Sequence, residues 1–349
     1  MKRVVFAVPG SLDTPTGGYA YDKRIIAELR RLDWDVECLD IGKGFPSPDQ
    51  ATRSAARSLL LQVPDGQPIM VDGLALGVLP DVAAEVASRH PLLALVHHPL
   101  ALEWGLPAER ADALHRSEQA ALAVVREVVV TSPTTAKLVA SDYGVPAERI
   151  TVARPGSDPA PRSSGSRSEV PHLLSVGAVV PRKGFDILVA ALATLAELPW
   201  RLTIAGDLTR DPDEAARLDI SITQHKLAGR ISTLGAVSSE RLAALYDDAD
   251  LFVLASRFEG YGMAYAEALS HGLPVIGTTA GAIPDTVPQE SGILVSPGDV
   301  DALARALRRV ITDAGLRRQL SDAAFTAARK LPTWRQSGAI FATALEKLA

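Results

Sequence analysis

The sequence predicts an α/β protein with two doubly wound domains, each built on a parallel sheet. The chain has 349 residues, of which 47% are hydrophobic and 22% charged, so two globular domains of ordinary size are expected. Short apolar runs alternate with longer helical patterns along the whole chain. This alternation is typical of parallel sheets that are covered by helices on both faces.

Twelve apolar runs are predicted strands, because their polarity does not alternate, as expected for buried parallel strands. A first series lies at residues 3–8, 36–39, 69–72, 92–97, 127–131 and 150–153. A second series lies at residues 172–176, 201–205, 231–234, 251–255, 274–277 and 293–296. Helical patterns lie between them, for example at 18–32, 80–89, 110–125 and 241–248. Each series therefore predicts one sheet.

A segment rich in Pro, Gly and Ser separates the two series. Residues 154–171 contain few apolar side chains, and this composition suits a linker. We therefore predict an N-terminal domain at 1–160 and a C-terminal domain at 161–331. Residues 332–349 predict a closing helix that either caps the second domain or crosses back to the first. Because ligands bind beyond the carboxyl ends of parallel strands, two such domains facing each other would form a cleft.

Charge and composition argue against several classes of function. The net charge is −5, which does not suit a nucleic-acid partner. The first apolar run, Val4–Val8, is shorter than the roughly 7–15 residues of a signal peptide core, so we expect a cytoplasmic protein. The single cysteine, Cys38, lies in an apolar stretch and is predicted to be buried.

Residues 251–277 carry the most informative motif, in which a strand leads through a loop into a helix. Gly260 and Gly262 allow a ligand to approach the backbone, and the helix start offers N–H groups to an anion. Glu259, at the end of the loop, could accept hydrogen bonds from sugar hydroxyls. Glu267, inside the helix, could accept from the two hydroxyls of a ribose.

This motif resembles the signature of retaining glycosyltransferases of the GT-B fold, family 4. The family pattern is E-G-F-G-x-x-x-x-E-A-x-x-x-G-x-P-V, and residues 259–275 match it except that Tyr261 replaces Phe. The resemblance implies two Rossmann-like domains and a sugar transfer from a nucleotide diphosphate, most often UDP or GDP, to a hydroxyl acceptor. It also implies that Glu259 orients the sugar, and that the donor is bound by Tyr261, Gly262, Met263, Ala264 and Glu267.

A second motif, SVGAVVPRKGFD at residues 175–186, follows a predicted strand and precedes a helix. Arg182 and Lys183 lie in its loop, where their charges would meet a diphosphate and stabilise the leaving group. The motif resembles the family pattern V-G-R-x-x-x-x-K-G, with Ala178 in place of the arginine. We expect Arg182 to supply the missing charge from the other side of the loop.

Five further positions resemble the family more weakly. Gly17 and Gly18 open a helix after the first strand, and they correspond to a glycine pair near the donor phosphate. His97, at the end of the fourth strand, corresponds to a catalytic-site histidine that contacts the donor sugar. In the second half, Gly206 corresponds to a strand-end glycine near the nucleotide, and Val237 lies in the segment whose backbone contacts the base.

No metal or other cofactor is predicted. Three Asp-x-Asp sequences, at 33–35, 211–213 and 248–250, lie away from the donor motifs and are interpreted as surface or capping carboxylates. His97 and His98 are adjacent on a strand and would point to opposite faces rather than to one ion. Basic side chains and helix dipoles would then neutralise the diphosphate. No enzyme nucleophile is evident, so the acceptor is expected to attack from the leaving-group face.

Other functions remain open from the sequence. A nucleotide-sugar epimerase of the same fold would need no acceptor, and a catalytically impaired sugar-nucleotide-binding protein would be consistent with Ala178. The acceptor is open among small molecules, glycans and lipid-linked sugars. Residues 22–31 mix basic and apolar side chains, so peripheral membrane contact is an alternative, although a helix that covers the sheet is preferred.

Overall fold

The computed structural model describes residues 2–348, which form two compact units. The N-terminal unit contains the chain up to Gly156 together with the segment from Pro332 onward, and the C-terminal unit contains Ser157–Leu331. The segment from Arg154 to Pro171, which joins the two series of strands, contains no helix or strand, as its composition predicts.

The N-terminal unit is built on a six-stranded parallel sheet in the order β2-β1-β3-β4-β5-β6. Its strands are β1 (Lys2–Val8), β2 (Trp34–Asp40), β3 (Ile69–Asp72), β4 (Leu92–Val96), β5 (Glu127–Val130) and β6 (Ile150–Val152). Its first helices are α1 (Gly17–Arg31), α2 (Gln50–Leu61), α3 (Gly73–Leu76), α4 (Pro80–Ala87), α5 (Ala108–Val124) and α6 (Pro133–Ser141).

The C-terminal unit contains a second six-stranded parallel sheet, in the order β12-β11-β10-β7-β8-β9. Its strands are β7 (His172–Val176), β8 (Arg201–Ala205), β9 (Ile231–Thr233), β10 (Leu251–Val253), β11 (Val275–Thr278) and β12 (Gly292–Val295). Its helices are α7 (Phe185–Ala193), α8 (Pro212–Gln224), α9 (Ser239–Asp248), α10 (Met263–Ser270), α11 (Ile283–Thr286), α12 (Val300–Thr312) and α13 (Ala314–Ala328). The prediction of two doubly wound α/β sheets is confirmed. Between residues 2 and 348, no helix is both long and apolar enough to cross a membrane.

Both sheets reverse their winding at the first strand of the unit. β1 lies between β2 and β3, and β7 lies between β8 and β10. At such a strand, neighbouring connections leave on opposite faces and open a crevice beyond its carboxyl end, where ligands of doubly wound folds bind. The predicted site motifs follow β1, β4, β7 and β10, so the topology places all of them at carboxyl ends of strands.

Burial differs between central and edge strands. Every residue of β4 and β10 is buried, because helices cover both faces of the sheet there. β2 is an edge strand that pairs only with β1, and several of its residues are exposed. Cys38 lies on β2 and is exposed, so the prediction that it is buried was wrong. Its apolar neighbours predicted a strand but not the strand's position at the edge.

The closing helix α14 (Trp334–Glu346) belongs to the N-terminal unit, where it packs against α1. The two helices approach closely at Gly338, because a Cβ there would lie 2.4 Å from the Cβ of Glu28. The helix begins with a capping box, in which Thr333 and Gln336 each accept a hydrogen bond from the other's backbone.

Candidate active site

Glu259 lies in the loop between β10 and α10, where three side chains donate hydrogen bonds to it. Its Oε1 accepts from Lys183 Nζ at 2.7 Å and from Ser256 Oγ at 2.7 Å. Its Oε2 accepts from Arg182 Nη1 at 3.3 Å. Because the Glu259 side chain is only 8% exposed, protein donors largely replace water around the carboxylate. The structure thus brings together Arg182, Lys183 and Glu259, three of the four residues predicted to be catalytic.

The turn that carries Arg182 and Lys183 is fixed by close backbone packing. Residues 181–183 form a single 3-10 turn, and Gly184 follows in the left-handed region at φ 67°. A Cβ at Gly184 would lie 2.1 Å from the carbonyl oxygen of Ala255, so only glycine fits where the turn crosses the end of β10. The Lys-Gly pair of the sequence motif therefore has a structural reason for its glycine.

Arg257 attaches the same turn to the loop after β10. Its guanidinium forms a bidentate ion pair with Asp186, at 2.9 and 2.6 Å, and its backbone N–H donates to the carbonyl of Arg182 at 2.8 Å. Sequence reasoning missed Arg257 and Ser256, although both lie within four residues of Glu259. Their position beside the motif was the available signal. The partner of Arg257, Asp186, lies 71 residues away in the sequence, and the contact of Ser256 with Glu259 depends on how the loop folds.

The ion pairs of Glu259 decide its protonation state. Burial alone would raise the pKa of this carboxyl, but the charges of Lys183 and Arg182, with hydrogen bonds from Lys183 and Ser256, outweigh burial and lower the pKa to about 2. Glu259 is therefore ionised at neutral pH. Such a group accepts hydrogen bonds and holds cations, but it has no proton to donate.

The start of α10 presents backbone N–H groups next to this loop. Gly262 caps the helix in the left-handed region at φ 92°, and Met263 and Ala264 follow as the first helical residues. N–H groups in a first turn have no partner within their own helix and suit an anion. The ring of Tyr261 is buried, and its carbonyl accepts from Thr286 Oγ1 at 2.7 Å. We expect Tyr261 to contribute through its backbone.

Glu267 projects from α10 and accepts a hydrogen bond from the hydroxyl of Tyr246 at 3.0 Å. Burial raises the pKa of Glu267, and the hydrogen bond from Tyr246 opposes that rise. Tyr246 was not predicted from the sequence, because it lies on α9, 21 residues before Glu267. The hydroxyl of Tyr246 thus binds Oε2 of Glu267 and does not bind Oε1.

Gly206 and Val237 follow β8 and β9. A Cβ at Gly206 would lie 1.9 Å from the carbonyl oxygen of Gly177, so this glycine lets the loop after β7 pass against the end of β8. The N–H of Gly206 donates to the carbonyl of Gly235 at 2.9 Å. Val237 is half-buried just before α9. These two predicted donor-binding residues thus lie on loops that follow the neighbouring strands β8 and β9.

In the N-terminal unit, His97 meets two aspartates that sequence reasoning missed. Its Nε2 lies 3.1 Å from Oδ1 of Asp22, on α1, and 3.9 Å from Oδ2 of Asp72, at the end of β3. We call these three residues the aspartate–histidine cluster. Gly18 lies beside it, because a Cβ there would be 3.4 Å from Cδ2 of His97. Gly17 is the first residue of α1, directly after the capping residue Thr16.

The aspartate–histidine cluster is also the arrangement that could hold a cation. One ligand atom from each of its residues lies within 4.8 Å of the others. His98 does not join it, since its Nε2 lies 3.3 Å from Oε2 of Glu103. The divergence of the two histidines was predicted, but the approach of Asp22 and Asp72 was not, because they lie 75 and 25 residues before His97.

A cavity of about 390 Å³ lies elsewhere in the N-terminal unit. Its wall is formed by the first turns of α2 and α5 and by the segments after β2 and β3. None of the residues predicted for the site lines it; the lining residues are Pro46, Ser47, Pro48, Arg53, Val78, Arg110, Ala113, Leu114 and Ser117.

Doubly wound α/β units that carry cations, carboxylates and a helix start at a strand-reversal point form an arrangement that suits a phosphorylated ligand. Comparison with known proteins narrows the class of protein. Residues 157–327 match the model of a family described as Glycosyl transferases group 1. The matched region contains Arg182, Lys183, Glu259 and Glu267. The match spans nearly the whole C-terminal unit, which is therefore similar to group 1 glycosyltransferases.

Individual relatives agree with this assignment. An MMP alpha-(1->4)-mannosyltransferase from Mycolicibacterium hassiacum is 28% identical over 330 residues, which are 88% of this chain and 77% of that protein. A D-inositol 3-phosphate glycosyltransferase from Xylanimonas cellulosilytica is 29% identical over 239 residues, which are 64% of this chain and 57% of that protein. The chain is thus a homologue of enzymes that transfer sugars.

Solved structures share the fold. Sucrose-phosphate synthase from Thermosynechococcus elongatus superposes with a TM-score of 0.84 at 21% identity, covering 98% of both chains. HepE from Anabaena, in complex with UDP and glucose, superposes with a TM-score of 0.77 at 21% identity, covering 99% of this chain and 100% of that one. The protein has the GT-B fold of two α/β domains.

Proposed function

We propose that the protein is a retaining glycosyltransferase of family 4 that moves a sugar from UDP or GDP to a hydroxyl acceptor. The observation that carries this proposal is the contact of Glu259 with both Lys183 and Arg182 at the carboxyl ends of β7 and β10. It places two cations and a carboxylate at a strand-reversal point, next in sequence to the start of α10. HepE, which has the same fold, binds UDP and glucose, and this supports a nucleotide-sugar donor.

Arg182 and Lys183 would bind the diphosphate and neutralise the charge that develops on it as the sugar leaves. In the free protein Glu259 already holds both cations, so they need little reorganisation when a donor binds. A diphosphate would then share these cations with Glu259, whose oxygens would accept hydrogen bonds from the sugar. The carboxylate oxygen of Glu267 that does not bind Tyr246 would accept from a ribose hydroxyl.

Retention would follow from attack on the leaving-group face. Glu259 is buried and accepts three hydrogen bonds, so it is a weak candidate for a nucleophile. The bond from the anomeric carbon to the diphosphate oxygen would break through an oxocarbenium-like state. The acceptor oxygen would form the new bond, and its proton would pass to the departing phosphate oxygen.

Because Arg182 and Lys183 would replace a divalent ion at the diphosphate, we expect full activity in EDTA. Strict dependence of activity on added metal would contradict this.

We further propose that the acceptor carries a phosphate or a similar anion. The cavity of the N-terminal unit falls within the roughly 300–1,000 Å³ of small-molecule sites. Arg53 and Arg110 line it; Arg53 forms an ion pair with Asp81 at 3.1 Å, whereas Arg110 donates to the neutral oxygens of Pro46 and Ser47. The Xylanimonas relative is named for an inositol phosphate, and this supports the same acceptor class.

Arg110→Gln should raise the acceptor KM with the donor Kd unchanged, whereas Arg116→Gln, exposed on the same helix, should change neither. An equal response of phosphorylated and plain acceptors would contradict the proposal.

Calorimetry with UDP, GDP, ADP, dTDP and their sugar conjugates tests the donor site. We expect one nucleotide family to bind, and Lys183→Ala to weaken that binding by about 10- to 100-fold, since a charge-assisted contact contributes roughly 1.5–3 kcal/mol. Lys330→Ala, at an exposed position of the same unit, is the matched control. Unchanged affinity in Lys183→Ala would remove this residue from the site, and no binding of any nucleotide would contradict the donor assignment.

A turnover assay with the nucleotide sugar that binds separates the other two functions. Turnover of the donor with no acceptor present would identify an epimerase. Donor binding without turnover across phosphorylated, glycan and lipid-linked acceptors would identify an impaired enzyme, and Ala178→Arg would then be the substitution to test for restored activity. Release of nucleoside diphosphate that depends on an acceptor supports the transferase.

A further inference from the structure

The aspartate–histidine cluster contains a buried carboxylate with very few partners. Asp22 is fully buried in α1. Apart from its ion pair with His97, neither carboxylate oxygen of Asp22 has a hydrogen-bond partner among the described residues. Asp72 differs, because its Oδ1 accepts from the backbone N–H of Leu74 at 2.7 Å. A buried carboxylate without hydrogen-bond donors is costly, so the contact with His97 is the interaction that offsets the burial of Asp22.

The imidazole ring of His97 is held in one orientation. The ring of Tyr21 meets it edge-on, with the centroids 5.5 Å apart. Gly18 packs against the Cδ2 side of the ring, and Thr131 Oγ1 donates to the backbone carbonyl of His97 at 3.1 Å. Nε2 lies 3.1 Å from Oδ1 of Asp22, so the two groups are in ion-pair contact, but the contact lacks the geometry of a hydrogen bond. The side chain is 21% exposed, so the ring is not sealed inside the unit.

We propose that Asp22 and Asp72 are positioning residues that keep His97 as an imidazolium, whose positive charge is presented to an oxygen of the substrate. The proposal rests on the donor-binding function proposed above. In this arrangement the N-terminal unit contributes a positive charge that two buried carboxylates stabilise.

The electrostatics of the cluster agree with this geometry. Burial on its own would lower the pKa of His97, but the charges of Asp22 and Asp72 outweigh burial and raise the pKa to about 9. Burial and the charge of Asp22 raise the pKa of Asp72 to about 7, against the opposing charge of His97. Tyr21 also faces the ring, and burial raises its pKa well above the usual value, so it stays neutral. His97 thus carries its proton up to a pH of about 9.

NMR titration of histidine-labelled full-length protein tests the proposal without any need for turnover. The chain has seven histidines, and the His97 signals are assigned by their loss in His97→Gln. We expect His97 in the wild type to titrate near pH 9. In Asp22→Asn, where burial acts with less opposition, it should titrate below its ordinary value of about 6.5. Asp72→Asn should lower the midpoint by a smaller amount, and His98→Gln should leave it unchanged.

Several results would overturn the proposal. One is a wild-type His97 that titrates at or below pH 6.5, and another is a midpoint that does not move in Asp22→Asn. A third is a metal ion that remains bound after dialysis against EDTA and is lost in Asp22→Asn, which would make the cluster a metal site. If Asp22→Asn does not fold, Asp22→Glu and Asp72→Asn provide the same comparison, because each changes the charge geometry around a retained histidine.

The pH dependence of transfer provides the second arm. We expect the wild type to lose activity as the pH rises through about 9, where His97 loses its proton. Asp22→Asn should move this alkaline limit down by more than one pH unit, whereas a merely structural residue would lower activity equally at all pH values. If the donor assignment is wrong, this arm has no activity to follow while the NMR result stands, so the two failures are distinguishable.

Discussion

The two units carry ionisable clusters of opposite design at the carboxyl ends of their central strands. In the C-terminal unit, one buried carboxylate, Glu259, is surrounded by Lys183 and Arg182. In the N-terminal unit, one imidazole, His97, is surrounded by Asp22 and Asp72. The first arrangement lowers the pKa of the acid to about 2, and the second raises the pKa of the base to about 9.

The difference determines which groups each cluster can present to a ligand. Lys183 and Arg182 are 15% and 16% exposed, so a diphosphate can share their charge with Glu259. Asp22 and Asp72 are buried, so a ligand cannot reach them except through His97. The C-terminal cluster therefore offers cations to a ligand directly. The N-terminal cluster offers only the ring of His97, whose positive charge the two carboxylates stabilise.

Glu259→Gln should produce the largest effect, because it removes the charge at the centre of the C-terminal cluster but keeps the shape of the side chain. We expect kcat to fall by about 100- to 1,000-fold, the range for loss of one group that stabilises developing charge. Glu259→Ala should in addition destabilise the unit by about 3–5 kcal/mol, because two partly buried cations lose their partner. Steady-state rates and urea unfolding measure the two effects, with Glu240→Gln as an exposed control. Near-wild-type turnover would remove Glu259 from the site.

Gly184→Ala should have a smaller effect, and it acts on the position of the cations rather than on their charge. The left-handed backbone at φ 67° and the carbonyl of Ala255 both oppose a side chain there. We expect a loss of about 1–3 kcal/mol in the free energy of unfolding, together with weaker donor binding. Gly229→Ala is the control, because no atom lies within 4 Å of its added Cβ. Equal stabilities of the two variants would mean that the turn does not depend on this glycine.

Tyr246→Phe should have the smallest effect, since it removes one hydrogen bond to Glu267 while the ring remains stacked on His271. The loss of an ordinary hydrogen bond, about 1 kcal/mol, predicts a nucleotide Kd about five times higher. Calorimetry with the nucleotide alone measures this, and the N-terminal cluster should titrate as in the wild type. An unchanged Kd would indicate that Glu267 does not need Tyr246 to bind a ribose.

The fold was predictable because parallel strands leave a strong sequence pattern. Continuous apolar runs identified strands as short as β10, whose residues are all buried. The same pattern failed for Cys38, because an edge strand has the composition of a strand but not its burial. Strand order is set by contacts between distant segments, and no single run contains that information.

The candidate site was predictable only where its residues lie within one motif. Glu259, Glu267 and the pair Arg182–Lys183 were identified by spacing and by resemblance. The contacts that define their state were not: Ser256, Arg257 and Tyr246 act through hydrogen bonds that form only after the loops fold. Asp22 and Asp72 carried no sequence signal at all, since α1 and β3 meet β4 only through the topology of the sheet.

The place of α14 has a consequence for the order of folding during synthesis. The C-terminal unit is one continuous segment, Ser157–Leu331, so it can fold as soon as it leaves the ribosome. The N-terminal unit is made first, but the surface of α1 at Glu28 stays uncovered until α14, which carries Gly338, has been synthesised. The earlier unit is therefore completed last, and until then α1 exposes a face that a chaperone could protect.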